Sequence, residues 1–112
     1  MNIVILGAGQ VGSELSAILA SDHDITLIDL NQEKLLKISD HHDLKTICGN
    51  ACYPKTLEQA EIGNADLAIA MTQYDEVNMV ACQMIKHMSK KTKTMARIRA
   101  VSYTHLTLPT KA

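Results

Sequence analysis

Aromatic side chains are nearly absent from this chain of 112 residues, which has no tryptophan, no phenylalanine and three tyrosines. Hydrophobic residues nevertheless make up 46% of the sequence, so the core must be built from aliphatic side chains. A chain of this length has room for one domain. The composition therefore predicts one small globular domain with an aliphatic core.

Neither an excess of one charge nor a long apolar run is present. Eleven lysines and arginines face twelve aspartates and glutamates, which gives a formal net charge of −1. Because binding to a phosphate backbone needs a basic face, we do not expect nucleic acid as a partner. No apolar run approaches the roughly 20 residues that cross a bilayer, so direct membrane insertion is not expected either.

Cysteine is sparse and odd in number, with Cys48, Cys52 and Cys82 and no secretory signal before them. Free thiols in a reducing cytoplasm are the natural interpretation. The spacing of Cys48 and Cys52, with His41 and His42 nearby, is also that of a metal or redox pair. We favour free thiols, because Cys48 falls in a predicted strand and no second pair of ligands follows. No metal site is therefore predicted.

Strand and helix patterns alternate along the chain. Strand character is found in five segments: 2–6, 24–29, 43–50, 65–71 and 93–99. Helices are predicted after the first glycines, after a cap at Asn31, from Pro54 to about Ala60, and from Asp75 to Met88. Short connections between alternating elements indicate parallel strands joined by crossovers. We therefore predict an α/β doubly wound parallel sheet, Rossmann-like and truncated after the fifth strand.

Two helices carry apolar stripes that predict which side faces the core. The stripe of the first helix consists of Val11, Leu15, Ile18 and Leu19. That of the fourth consists of Val77, Val80, Ala81, Met84, Ile85 and Met88. Both stripes follow the helical period, and both are expected to be buried.

The first predicted turn holds Gly7, Gly9 and Gly12 in G-x-G-x-x-G spacing between a strand and a helix. In this setting the first glycine permits the tight turn, the second lets the backbone approach a pyrophosphate, and the third allows close packing. Free N–H groups near Gln10 and Val11 would meet phosphate oxygens. The alternative is that the glycines serve packing alone.

Asp29 ends the second predicted strand, 17 residues beyond Gly12. A carboxylate at this position accepts hydrogen bonds from the ribose hydroxyls of an adenosine and repels a 2′-phosphate. Leu30 and Asn31 follow it and supply no arginine. The pattern therefore favours NAD(H) over NADP(H), unless Asp29 is only a solvated strand end.

Further polar residues follow the third, fourth and fifth predicted strands and should share the same sheet edge. Asn50 is placed to contact an adenine, and Thr72 and Gln73 a pyrophosphate or the distal ribose. The alternative for each group is that it caps the next helix. The sequence does not decide between ligand contact and capping. Arg97 is preferred over Arg99 as the residue that reaches a phosphate, with a surface ion pair as the alternative.

Catalytic groups do not stand out in the sequence. A dehydrogenase needs an acid–base residue, a carboxylate-binding arginine or a metal, and these usually come from a second domain. No Y-x-x-x-K pair is present, and no carboxylate is arranged to orient any of the five histidines. We therefore predict a binding module and not an enzyme. The alternatives are the cofactor half of an NAD-dependent oxidoreductase and an assembly scaffold that binds no ligand.

Four stretches carry a family resemblance: "MNIVILGAGQVG", "ITLIDLN", "AIAMTQYDEVNMVACQMIK" and "ARIR". They resemble the N-terminal Rossmann (RCK, or KTN) domains of the family that regulates the conductance of potassium channels and transporters. The similarity is to the cytosolic regulatory subunits of bacterial Trk potassium-uptake systems, and it runs from Met1 to about Ala100. The pattern D-E-x-N-M-V-A-C-Q is much more specific than the glycine turn.

The resemblance implies a domain that binds NAD(+) or NADH, or sometimes ATP or ADP, and senses the ligand without consuming it. It also implies a homo-dimer or higher oligomer beneath a membrane potassium transporter subunit, in the cytoplasm at the inner face of the membrane. Asn50 departs from the aspartate that many relatives have there. By position, the implied ligand contacts are Gly7, Ala8, Gly9, Gln10, Val11, Asp29, Thr72, Gln73 and Arg97.

Residues 101–112, "VSYTHLTLPTKA", do not follow the family pattern. The strand-like run 104–108 comes too soon after the fifth strand for a parallel crossover, which needs about a dozen residues. It would pair antiparallel, pair with another chain or stay disordered. We predict a nucleotide-binding domain over 1–100 and an atypical tail, foreign or a genuine variant, over 101–112. An uncovered sheet edge would favour a dimer or higher oligomer.

Overall fold

Strands and helices alternate along residues 1–99, the part of the chain that the computed structural model describes. The strands are β1 (Asn2–Leu6), β2 (Asp24–Asp29), β3 (Lys45–Cys48), β4 (Leu67–Ala70) and β5 (Lys93–Ala96). The α-helices are α1 (Gln10–Leu19), α2 (Gln32–Ser39), α3 (Pro54–Gln59) and α4 (Asp75–Met88). The predicted alternation is confirmed, although β3, β4 and β5 are shorter than expected. A 3₁₀ turn at Ile62–Asn64, which was not predicted, follows α3.

The five strands form one parallel sheet in the order β3-β2-β1-β4-β5. From β1 the chain adds β2 and then β3 on one side of the sheet. It then crosses back and adds β4 and β5 on the other side of β1. Ligands bind in open α/β sheets at such a reversal, outside the carboxyl ends of the strands. Leu6 pairs with Ile28 on one side and with Ala70 on the other, so β1, β2 and β4 end at one edge.

Two aliphatic layers cover the two faces of the sheet, because successive strand residues point to opposite sides. In β1, Val4 and Leu6 belong to the layer formed with α3 and α4. Ile3 and Ile5 belong to the layer that includes residues of α1 and α2. The doubly wound fold and its aliphatic core are therefore confirmed.

The predicted buried stripe of α1 is wrong for two of its residues. Val11 is 47% exposed and Ile18 is 69% exposed, whereas Gly12 and Ser16 are buried. The helix approaches the sheet closely through these two small residues, which lie one turn apart on one face. At about 100° per residue, Val11 and Ile18 fall roughly 100° to 160° from these two residues and are turned away from the sheet.

The buried stripe of α4 also differs from the prediction. Its most buried residues are Asn78, Ala81, Cys82 and Ile85. Val80, expected in the core, is 51% exposed because it lies on the side of the helix opposite Asn78. The polar residue Asn78 thus lies on the buried side of α4, where the sequence pattern predicted only apolar residues.

No helix within residues 1–99 combines the length and the apolar character needed to cross a membrane. The strand-like run predicted at 104–108 lies outside the described residues. So does the whole of the predicted tail.

Candidate functional site

A cleft with a volume of about 410 Å³ opens at the carboxyl edge of the sheet. Its walls come from the turn after β1, from the ends of β2 and β3, and from the segments after β4 and β5. This is the edge at which the strand order reverses, and the volume is in the range of small-molecule sites. The cleft is therefore the candidate site.

Most of the residues predicted to contact a ligand line this cleft. They are Gly7, Gly9, Asp29, Asn50, Thr72, Gln73 and Arg97. Gln10 and Val11 are exposed at the start of α1, beside the cleft wall. Ala8 and Gly12 are buried and are not among the lining residues. The structure thus assembles the predicted set around one edge, and a ligand contact by each residue stays a prediction.

A different structural constraint applies at each of the three glycines of the turn. Gly7 has φ +111°, and a Cβ there would lie 2.9 Å from the backbone of Met71 and Thr72. A Cβ on Gly12 would overlap the carbonyl oxygen of Gly7. At Gly9 a Cβ would meet no atom within 4 Å. Folding explains Gly7 and Gly12, whereas the open space at Gly9 suits the close approach of a ligand.

The N-terminus of α1 lacks the groups that usually satisfy a helix start. Gly9 is its N-cap, no side chain caps it, and its first turn contains no acidic residue. By contrast, Asn31 caps α2 through its side chain, and α4 has Asp75 and Glu76 in its first turn. The first N–H groups of a helix have no partner within the helix and carry partial positive charge. The start of α1 is therefore suited to an anion.

Asp29 connects the end of β2 to the glycine turn. Its Oδ2 accepts a hydrogen bond of 2.7 Å from the N–H of Ala8, and its Oδ1 one of 2.7 Å from the N–H of Asn31. A carboxylate has about four lone-pair sites, so both oxygens retain acceptor capacity for ribose hydroxyls. Sequence reasoning predicted Asp29 as a ligand residue, which stays a prediction, but missed its role in holding the turn.

The segment after β4 is fixed by a polar network behind the cleft wall. Arg97 donates from Nη2 to the carbonyl oxygens of Met71 and Thr72, at 3.1 and 3.2 Å. Its Nε is buried and has no hydrogen-bond partner among the described residues. Because a guanidinium carries a positive charge, Arg97 places that charge at this wall. The charge suits an anionic ligand.

Asn50 and Gln73 line the cleft and also make local hydrogen bonds. Asn50 Oδ1 accepts from the N–H of Cys52 at 2.8 Å, and Gln73 Nε2 donates to Tyr74 Oη at 3.2 Å. The capping role considered for Asn50 is not present, because α3 has Tyr53 as its N-cap and no side chain caps it. The contact to Cys52 closes a local turn and leaves the amide nitrogen of Asn50 for other contacts. Arg99 donates to the carbonyl oxygen of Gln73 at 2.9 Å and is not among the lining residues. Arg97 lines the cleft and Arg99 does not, and contact of Arg97 with a phosphate stays a prediction.

Several lining residues were missed by sequence reasoning. They are Ile28, Leu30, Lys34, Gly49, Ala51, Met71, Tyr74 and Val77. Lys34 matters most, because it brings a cation to the wall that contains Asp29. Position in the sequence pointed only to Leu30 and Asn31 as neighbours of a 2′-phosphate. The capped first turn of α2, which begins at the same edge, is the signal that could have placed Lys34 there.

The cysteines do not form a ligand group with neighbouring residues. Within residues 1–99 no three histidine, cysteine or acidic side chains are close enough together to hold a metal ion. Burial raises the pKa of the Cys52 and Cys82 thiols. Both thiols are therefore harder to ionise than a free cysteine, which makes them poor nucleophiles and poor metal ligands.

Comparison with known proteins matches residues 3–110 to the TrkA-N domain. The chain belongs to the TrkA-N domain family. The resemblance to potassium-transport regulatory domains predicted from the four sequence stretches is thereby confirmed. The matched range extends past residue 100, and the division of the chain at that residue stays a prediction.

Curated relatives of this TrkA-N domain are themselves potassium uptake proteins. "Trk system potassium uptake protein TrkA" of Haemophilus influenzae is 45% identical over 104 residues, and that of Halomonas elongata is 42% identical over 104 residues. Each match covers 92% of this chain and 23% of the relative. A TrkA homolog of Pyrococcus abyssi is 39% identical over 99 residues, which are 44% of its length. The chain thus spans less than half the length of these relatives.

Solved structures support the fold of this TrkA-N domain. The TrkA-N domain of the inner membrane protein ybaL from Escherichia coli has a TM-score of 0.79 at 20% identity, covering 86% of this chain and 71% of that one. The GsuK channel bound to NAD also has a TM-score of 0.79 at 20% identity, covering 94% of this chain and 19% of that one. At such identities the likeness concerns the fold alone.

Proposed function

We propose that this TrkA-N domain binds NAD(H) in the carboxyl-edge cleft and is a cytosolic regulatory domain of a bacterial potassium-uptake transporter. One observation carries the proposal: the uncapped N-terminus of α1, with open space at Gly9, lies in a cleft bordered by Asp29. Backbone N–H groups and a carboxylate in this arrangement match the two chemical parts of an adenosine diphosphate.

Each group of lining residues would contact a different part of a dinucleotide. The start of α1 would hold the pyrophosphate, and Asp29 the hydroxyls of the adenosine ribose. Asn50 would lie at the adenine, and Thr72, Gln73 and Arg97 at the second half of the ligand. NAD(H) then supplies the negative charge that the N–H groups and Arg97 are placed to receive.

The family supports both the ligand and the setting. The curated relatives are potassium uptake proteins, and one fold neighbour is a channel bound to NAD. Another neighbour, the Kef C-terminal domain of Shewanella denitrificans, is in an AMP-bound form, with a TM-score of 0.76 at 19% identity. ATP and ADP, which share the adenosine phosphate of these ligands, are therefore included in the proposal as competitors.

In the proposed mechanism the nucleotide is sensed and not converted. A ligand that binds two arrangements of an assembly with different affinity shifts the balance between them, which is how it would gate transport. The partners in this proposal are further copies of the chain, as a homo-dimer or higher oligomer, and a membrane potassium transporter subunit. The domain would lie in the cytoplasm, peripheral to the inner face of the membrane.

Calorimetric titration with NADH, NAD, NADPH and ATP tests the proposal. We expect saturable binding of NADH or NAD, weak binding of NADPH, and loss of binding in an Asp29→Ala variant. Asp24→Ala, which removes an exposed carboxylate at the opposite end of β2, is the matched control and should bind normally. Binding of none of the four nucleotides by the parent would contradict the proposal. Oxidation of bound NADH would instead support the oxidoreductase alternative.

A further inference from the structure

Asn78, in the first turns of α4, is a fully buried polar side chain that bridges three elements. Its Oδ1 accepts hydrogen bonds from the N–H and the hydroxyl of Thr72, at 2.9 and 2.7 Å. Its Nδ2 donates to the carbonyl oxygens of Thr72 and Arg97, at 3.1 and 2.8 Å. One amide thus fastens α4 to the segment after β4 and to the end of β5. Such full pairing is what burial of an amide requires.

The cleft has two halves, one on each side of the glycine turn after β1. Asp29 and Asn50 line the half formed at β2 and β3. Thr72 and Arg97 line the half formed at β4 and β5. Every partner of Asn78 belongs to the second half. Its direct hydrogen bonds therefore act on that half.

The charge of Arg97 depends on this network for its position. Nη2 of Arg97 is held by the carbonyl oxygens of Met71 and Thr72, and Asn78 fixes the backbone of Thr72 through both its N–H and its carbonyl oxygen. Asn78 also holds the carbonyl of Arg97 itself. Removal of the amide would loosen the backbone of Thr72 and the main chain at Arg97, and with them the anchoring of the guanidinium. Groups that are held in position bind a ligand less tightly when the hydrogen bonds that hold them are removed.

We propose that Asn78 is the positioning residue for the second half of the cleft and thereby sets a preference for dinucleotides over mononucleotides. This inference rests on the proposed function, that the cleft binds adenine nucleotides. AMP would make all of its contacts with the first half of the cleft and with the start of α1. NADH has a second phosphate and ribose, which extend it to the Thr72 and Arg97 half of the cleft that Asn78 holds in place.

Calorimetry with NADH and AMP on the parent and on Asn78→Ala and Asn78→Asp tests this inference. We expect Asn78→Ala to lose NADH affinity by about tenfold or more, and AMP affinity to stay within about twofold. Asn78→Asp retains the acceptor for Thr72 but loses the donor to the two carbonyls, so its loss should be intermediate. Thr92→Val is the control, because it removes a buried hydroxyl beyond the far end of α4 and should leave the NADH-to-AMP ratio unchanged.

The outcomes separate this inference from the proposed function. A parent that binds neither nucleotide contradicts the proposed function itself. A parent that binds both equally, or an Asn78→Ala variant with the ratio of the parent, overturns the role of Asn78 while nucleotide binding stands. If both Asn78 variants fail to fold, amide hydrogen exchange on the parent decides. NADH should then protect the N–H of Thr72 more than AMP does, and equal protection would overturn the inference.

Discussion

Replacing Gly9 with serine separates the space needed by a ligand from the packing needed by the fold. Gly9 is the N-cap of α1, with φ −69° and ψ −172°, an extended conformation that any L-residue adopts. A Cβ there meets no atom of the chain within 4 Å. The Gly9→Ser variant should therefore fold normally. Serine is a preferred N-cap residue, so the free energy of unfolding should change by only a few tenths of a kcal/mol.

Binding should respond very differently to the same substitution. The new side chain fills the space through which a pyrophosphate approaches the backbone, and its hydroxyl accepts from the N–H groups that would otherwise meet phosphate oxygens. A hydrogen bond to a charged group contributes about 1.5–3 kcal/mol. Loss of one such bond corresponds to a fall in NADH affinity of roughly 10- to 150-fold.

Urea unfolding and calorimetric titration with NADH measure the two effects separately. Gly63→Ser is the matched control, because a Cβ at Gly63 also meets no atom within 4 Å and Gly63 lies outside the cleft. It should bind NADH like the parent. Unchanged NADH affinity in Gly9→Ser would refute the placement of the pyrophosphate at Gly9. A variant that loses stability and binding together would show that Gly9 serves the fold.

Two predictions concern stability at the opposite edge of the sheet. The N–H of Asn2 donates to Asp66 and is the main cause of the lowered pKa of that carboxyl. The resulting stabilisation is fully present above the ordinary aspartate pKa of about 3.9 and is lost as pH falls through the lowered pKa. Urea midpoints of the parent and of Asp66→Asn should therefore differ at pH 7 and converge in acid; a pH-independent difference would contradict this. Thr92→Val should cost about 1–3 kcal/mol at any pH, because the Thr92 hydroxyl is the buried donor to the carbonyl oxygens of Ile62 and Ala65, and an unchanged urea midpoint would count against it.

Local sequence patterns predicted the elements of the fold well, because each pattern depends on residues close together in the chain. The G-x-G-x-x-G spacing, the acidic end of β2 and the alternation of apolar runs placed the glycine turn and Asp29 at one edge. The prediction of which α4 residues are buried was partly wrong, because it took only apolar residues at helical spacing as the buried ones. Asn78 is polar, yet it is buried since the donors and acceptors of two neighbouring segments satisfy it.

The sequence alone thus determined the fold class, the glycine turn with its acidic partner, and the family, since these depend on spacing and on residue type. Only the tertiary structure decided how the second half of the cleft is held. Residues 72, 78 and 97 come together through the packing of α4 against the ends of β4 and β5. The same packing decided that Val80 faces outward, and the packing of α2 beside β2 decided that Lys34 joins Asp29 at one wall. Contacts between segments distant in sequence depend on how the elements pack, and no local pattern contains that information.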